Sequence, residues 1–289
     1  MKFRTELSIR PSDFKISHDC KIAIQGSCFA ENIASKFLNA GFTIDLNPFG
    51  ISYNPSSLSN NLKRLIENKS FRTDELIKEK DIYHSFSHHS RFSGTDPEKV
   101  ISGINSGMEL SSDFLKTADL LIITFGTAYV YRLQSTDAVV SNCHKIPAKF
   151  FTYKRLTIDE ILKDWIDLIE RLKKFNPSLQ ILFTVSPIRH LKDGIHENQL
   201  SKSILLLSVD ELLKKYSHCY YFPSYELLLD DLRDYRFYNE DMLHPSSQAI
   251  DYIWGKFSEA WFDEKTMMKA REFEKGNRFL NHVSIIKGS

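Results

Sequence analysis

Short apolar runs along this chain alternate with longer stretches in which apolar side chains return every three or four positions. Residues 21–25 (Lys-Ile-Ala-Ile-Gln) have no helical period and read as a buried strand. From Ala30, apolar residues at Ala30, Ile33, Ala34, Phe37 and Leu38 mark one helix face, and Gly41 fits its stop. Residues 42–46 predict a second strand, and Leu58, Leu62, Leu65 and Ile66 a helix over about 57–67. A helix over about 97–116 leads to residues 119–126, a strand apolar almost throughout, as expected of a parallel strand covered on both faces. Thr157-x-x-Glu160 is a capping box, and Ile158, Ile161, Leu162, Trp165, Leu168, Ile169 and Leu172 carry a long amphipathic helix to Asn176-Pro177. Strand 179–185, helix 195–215, strand 219–222 and a closing helix with Ile250, Ile253, Trp254, Phe257 and Trp261 complete the series.

Strands that alternate with helices predict an α/β fold, a mainly parallel sheet with helices on both faces joined by right-handed crossovers. The whole chain, 1–289, reads as one domain with its core over about 20–262. Residues 1–19 are an irregular lead-in, 128–153 suit a β-hairpin or small excursion, and 263–289 suit a polar helical tail on the outside. Ligands of such sheets bind beyond the carboxyl ends of the strands. The loops expected there are 26–28, 48–52, 126–128 and 186–190, and 241–244 follows the last strand.

Composition narrows the function. With 38 basic and 37 acidic residues the net charge is +1, so broad electrostatic binding to nucleic acid or to an anionic membrane is not expected. The opening residues carry no apolar run of signal-peptide length, and no later stretch is long enough to span a bilayer, which predicts a cytoplasmic protein. Cys20, Cys28, Cys143 and Cys219 lack CxxC spacing and read as free thiols. His84, His88 and His89 crowd an aromatic segment, but no further ligand sits at metal-site spacing. The segment is expected to line a cleft, with no metal.

Two short patterns carry chemistry. Gly26-Ser27-Cys28 sits between a strand and a helix, where turn N–H groups meet a helix N-terminus and a hydroxyl or thiol is on offer. That is the arrangement of an activated nucleophile; the plainer alternative is Ser27 as a helix cap. In Asp241-x-x-His244 the carboxylate can accept from His244 Nδ1 and leave Nε2 facing a nucleophile. Arg189 and His190 follow a strand end and suit an anionic or hydroxyl-rich substrate; His89 and Arg91 are further candidates for binding.

Gly26-Ser27-Cys28-Phe29-Ala30 spells the motif of the GSCFA family, and the chain resembles a member. That family is similar to the SGNH (GDSL-like) hydrolases, and the order of four blocks is kept. Gly26-Ser27-Cys28 stands for Gly-Asp-Ser, and Asn47-Pro48-Phe49-Gly50-Ile51-Ser52 for the second block. Gly126-Thr127-Ala128-Tyr129 stands for Gly-x-Asn-Asp, and Asp241 to His244 for Asp-x-x-His. The resemblance implies a flavodoxin-like, three-layer α/β/α sandwich. It also implies an acyl-ester hydrolase or acyltransferase that works through an acyl-enzyme without a cofactor, on a small-molecule or carbohydrate ester. Ser27 or Cys28 would attack, with His244 as base and acid and Asp241 orienting it. Aligned glycines put Cys28 at the nucleophile's place; a turn one residue tighter puts Ser27 there. Gly50, Gly126 and Thr127 would form the oxyanion hole, short of one donor because Ala128 replaces the block's asparagine. The rival reading is a non-catalytic binding protein that keeps the cleft.

Overall fold

The computed structural model describes residues 5–287, with side chains to 277. The first residues of the expected lead-in and the last of the tail lie outside that range. Five strands form the central sheet: β1 (Lys21–Gly26), β2 (Thr43–Leu46), β5 (Leu120–Phe125), β9 (Gln180–Val185) and β10 (Cys219–Tyr221). They lie in the order β10-β9-β5-β1-β2, and every neighbouring pair is parallel. Counted among themselves in chain order this is 2-1-3-4-5, the flavodoxin-like order, and the direction of winding reverses between β1 and β5. All six residues of β5 are buried, which explains its uninterrupted apolar run.

Helices cover both faces. On one lie α2 (Pro55–Glu67), α3 (Pro97–Lys116), α4 (Ile158–Phe175) and α5 (Ile195–Lys215). On the other, α1 (Cys28–Asn39) and the closing helix Ser247–Trp261 pack Phe37, Trp254 and Phe257 together. The capping box of α4 forms as expected: Glu160 N donates to Thr157 Oγ1 at 3.2 Å, and Thr157 N to Glu160 Oε2 at 2.9 Å. Trp165 of α4 is fully buried edge-on to Phe125 at 4.9 Å and to Phe183 at 5.3 Å. Truncating such a side chain typically costs about 3–5 kcal/mol. The final helix Glu264–Lys287 lies outside α1, held by Trp254 Nε1 donating to Glu274 and by Asn277 donating to the carbonyl of Asn39.

Three segments differ from the sequence reading. The 70–95 stretch holds an antiparallel hairpin, β3 (Leu76–Glu79) with β4 (Ile82–Ser85), whose residues are mostly half-exposed and so carry little alternation. The excursion is larger than a hairpin: β6 (Tyr129–Leu133), β7 (Val139–Val140) and β8 (Phe151–Arg155) form a sheet ordered β7-β6-β8. After β10 a helical turn, Ser224–Glu226, runs into a π-helical segment, Leu227–Leu232.

Helix starts matter most for the site. α1 begins at Cys28, two residues earlier than its apolar period suggested, and α2 begins at Pro55 behind Asn54. Gly26 lets this turn form: its partner across the ladder is Thr124, and a Cβ on Gly26 would lie 2.6 Å from the Thr124 carbonyl oxygen.

Candidate active site

The loops at the carboxyl ends of β1, β5 and β9 surround one cleft of about 650 Å³, at the edge where the strand order reverses. Its lining includes Ser27, Cys28, Asn54, Thr127, Arg189, His190 and His244. The excursion contributes Tyr129, Tyr131, Tyr153 and Phe151 to the lining. Tyr153 stacks on Tyr129 at 4.9 Å and lies tilted against Tyr131 at 4.5 Å, and the Lys192 ammonium lies 4.0 Å over its ring.

Asp241 and His244 are joined as their spacing suggested. Asp241 Oδ1 accepts from the backbone N–H of Leu243 at 2.8 Å and of His244 at 2.9 Å, and Oδ2 pairs with His244 Nδ1 at 2.6 Å. Those N–H groups and the imidazole hold the Asp241 carboxyl well below the usual range, at about 2. A carboxylate only accepts, so the proton of the neutral ring sits on Nδ1 and Nε2 has a free lone pair. The loop that makes this possible is tight: Asn239 N donates to His244 O, and Met242 takes a left-handed φ of 58°.

Ser27 and Cys28 have different surroundings. Ser27 holds the N-cap position of α1 but makes no side-chain cap bond; it is 1% exposed, and its Oγ is sealed without a partner. Cys28 is half-buried in the first turn, and its Sγ lies 3.5 Å from the Tyr53 hydroxyl. His244 lines the same cleft, but no hydrogen bond joins it to either residue. Burial, and then the neighbouring Cys28, push the Tyr53 hydroxyl far above its ordinary pKa, so the phenol keeps its proton; either it or the thiol can donate across this contact.

The N–H groups expected to form the oxyanion hole are spent elsewhere. Gly50 N donates to Asn47 O at 2.7 Å, and Gly126 N and Thr127 N both donate to Tyr53 O, at 2.7 and 2.9 Å. Gly50 stands outside the lining with φ +81°, where a Cβ would meet His89 Cβ at 2.3 Å. The Thr127 hydroxyl faces Ser201 Oγ at 3.1 Å, and Ser201 also accepts from Ala128 N at 2.8 Å. At the head of α1, Ala30 N already bonds Ser27 O, which leaves the N–H groups of Cys28 and Phe29 without an intrahelical acceptor.

The candidate binding residues divide. Arg189 lines the cleft with no carboxylate partner among the described residues, and its guanidinium lies 5.4 Å over the Tyr238 ring. His190 also lines it, edge-on to Tyr53 at 6.1 Å. Burial, then the charges of Lys202 and His244, lower its pKa to about 4, so it is neutral near pH 7. His89 lines the cleft, whereas Arg91 lies outside, donating to Asn47 O at 2.8 Å and facing Glu31 at 3.9 Å. His88 stacks on Phe49 at 4.8 Å, and burial takes its pKa to about 3. Among the described residues no group of ligating side chains is arranged to hold a metal. Among the described residues no helix is long and apolar enough to cross a membrane.

Three residues escaped the sequence reading: Tyr53, Asn54 and Lys202. Lys202 lies in the buried stripe of α5 with Asn198, Ser201, Leu205, Ser208, Val209 and Leu212. Its Nζ, 1% exposed as a residue, donates to Gly126 O at 2.6 Å and Ser186 O at 2.7 Å, tying the ends of β5 and β9. A lysine on the apolar face of a helix was the available signal.

The profile of the GSCFA family matches residues 21–257. No protein of curated description matches the sequence. Among solved structures, a candidate GDSL-like lipase from Parabacteroides merdae aligns at 15% identity and a TM-score of 0.45, covering 87% of this chain and 98% of that one. A family 3 carbohydrate esterase from Talaromyces cellulolyticus aligns at 8% and 0.39, covering 88% and 99%. Another from Clostridium thermocellum aligns at 12% and 0.36, covering 88% and 98%.

Proposed function

The chain belongs to the GSCFA family, and from that premise and the cleft we propose that it is an acyl-ester hydrolase or acyltransferase with Cys28 as nucleophile. The observation that carries this reading is that His244, paired with Asp241, lines the same cleft as a half-buried thiol at a helix N-terminus. Ser27 is the weaker nucleophile because its oxygen is sealed, whereas Cys28 sulfur is reached from the cleft.

His244 Nε2 takes the thiol proton as Cys28 Sγ adds to the ester carbonyl carbon. The helix N-terminus favours the thiolate, and Tyr53 donates to it. As the tetrahedral intermediate collapses, the C–O bond breaks and the imidazolium returns its proton to the leaving alkoxide, so an alcohol departs and a thioester stays. Water, or a second alcohol in a transferase, then gives its proton to His244 and attacks the thioester. The thiolate leaves and is reprotonated. Asp241 keeps the ring in the needed tautomer throughout. The cleft is much larger than an acetyl group, and its tyrosine lining suits a bulky substrate part, which an O-acylated carbohydrate would supply.

The test is intact-mass analysis after reaction with p-nitrophenyl acetate. Wild type and Ser27→Ala should gain one acetyl group that maps to Cys28, and Cys28→Ala should not. Acetylation lost in Ser27→Ala and kept in Cys28→Ala would move the chemistry to the serine. A non-catalytic binding protein is the second reading, favoured by the committed N–H groups of Gly50, Gly126 and Thr127; no acylation of any variant would support it.

A further inference from the structure

Resting on that reading, we propose that the side-chain amide of Asn54 is the oxyanion donor that Ala128 cannot supply. Asn54 caps α2: its Oδ1 accepts from Ser57 N at 2.8 Å. A backbone N–H can only donate, so the atom facing it is the oxygen, and the orientation of the carboxamide is determined. Nδ2 therefore points away from the helix. It has no partner among the described residues, although the residue is 7% exposed and lines the cleft. Asn47 offers the contrast: its Nδ2 is also unpartnered but is sealed from any probe. The Asn54 amide is not among the sealed groups, and its residue lines the cleft.

Position supports the role. Ser52 N donates to Gly26 O at 3.1 Å, and Gly126 N and Thr127 N donate to Tyr53 O. Tyr53 reaches Cys28 with its hydroxyl. The segment preceding Asn54 is thus laid across the ends of β1 and β5, beside the thiol. Helix α2 starts at the next residue with Pro55, so the carboxamide stands on a rigid element. Asn54 is 7% exposed, so little solvent reaches its unpaired amide N–H, and a developing oxyanion satisfies it.

Asn54→Ser and Asn54→Asp both keep an oxygen that can cap α2, and both remove the amide donor. The experiment compares two reactions of Cys28 in the same protein. Acylation by p-nitrophenyl acetate passes through an oxyanion; alkylation by iodoacetamide does not. In both variants acylation should slow about 10²–10³-fold, while the alkylation rate and melting temperature stay near those of wild type. Acylation at the wild-type rate in either folded variant overturns the assignment and leaves the esterase reading intact. Equal slowing of both reactions also overturns it, by placing the effect on the thiol. Failure of wild type itself to be acylated while Cys28 still alkylates overturns the esterase reading, and the donor role falls with it.

Discussion

Lys202→Met should change how stability depends on pH, in a direction set by burial. The ammonium is enclosed with no carboxylate in contact among the described residues, and burial lowers its pKa from 10.5 to about 7. The carbonyls of Gly126 and Ser186 favour the charged form but carry no full charge to offset desolvation. Above about pH 7 the folded protein has lost this proton, while the unfolded chain keeps it until about pH 10.5. The unfolded state binds more protons across that window, so stability rises with pH within it. The gap corresponds to on the order of 5 kcal/mol over the whole window, or roughly 1.4 kcal/mol per pH unit. Methionine fills similar space without the titration, but it leaves two buried carbonyls unpaired at about 1–3 kcal/mol each. Near pH 7 that loss and the relief of a buried charge are comparable, so the slope is the signature and the level is not. Urea unfolding of both proteins at pH 7, 8 and 9 gives the difference directly. It should shift in favour of wild type by about 2 kcal/mol over those two units, since the folded lysine is half-titrated at about pH 7. A difference that is flat or that falls with pH would show a lysine still charged in the fold, held by its two carbonyls, and would refute the argument.

Asp241→Asn should fold normally, because the loop keeps an oxygen for the N–H groups of Leu243 and His244, yet kcat should fall about 10²–10⁴-fold. Asp241 itself, held at about 2 by those groups, stays ionised in any ordinary assay, so an acid limb that Asp241→Asn moved without lowering the plateau would contradict its orienting role. Arg189→Ala should raise KM about tenfold or more with kcat little changed, as loss of a charge-assisted contact predicts; steady-state kinetics with KM and kcat both unchanged would make the arginine structural.

The parts of the site that were legible are those in which the chemistry is local. Asp241 and His244 are three residues apart, and a turn suffices to join them. Thr157 and Glu160 cap their helix by contacts within one turn. The apolar runs of β1, β5 and β9 announce strands because their neighbours bury both faces whichever helices those prove to be. The hairpin β3–β4 was missed for the converse reason: half-exposed strands carry little pattern.

From the sequence alone came the alternation of strands and helices, the four loops at one sheet edge, and the family motif. Those features follow from periodicity and short-range geometry, which survive in the order of residues. Only the tertiary structure decided which polar groups are free. Gly50, Gly126 and Thr127 were expected from their motifs to be donors, yet their N–H groups are bonded to Asn47 and Tyr53. Ser27 and Cys28 are adjacent in the chain, but one oxygen is sealed and one sulfur faces Tyr53. Asn54 and Lys202 drew no notice in the sequence; the structure makes one the cap of α2 in the cleft lining and buries the other at the strand ends. Whether a donor is spent, a charge desolvated or a side chain open to a cleft depends on partners far away in sequence. A linear pattern holds no record of those partners, because hydrogen-bond satisfaction and burial belong to the packed molecule.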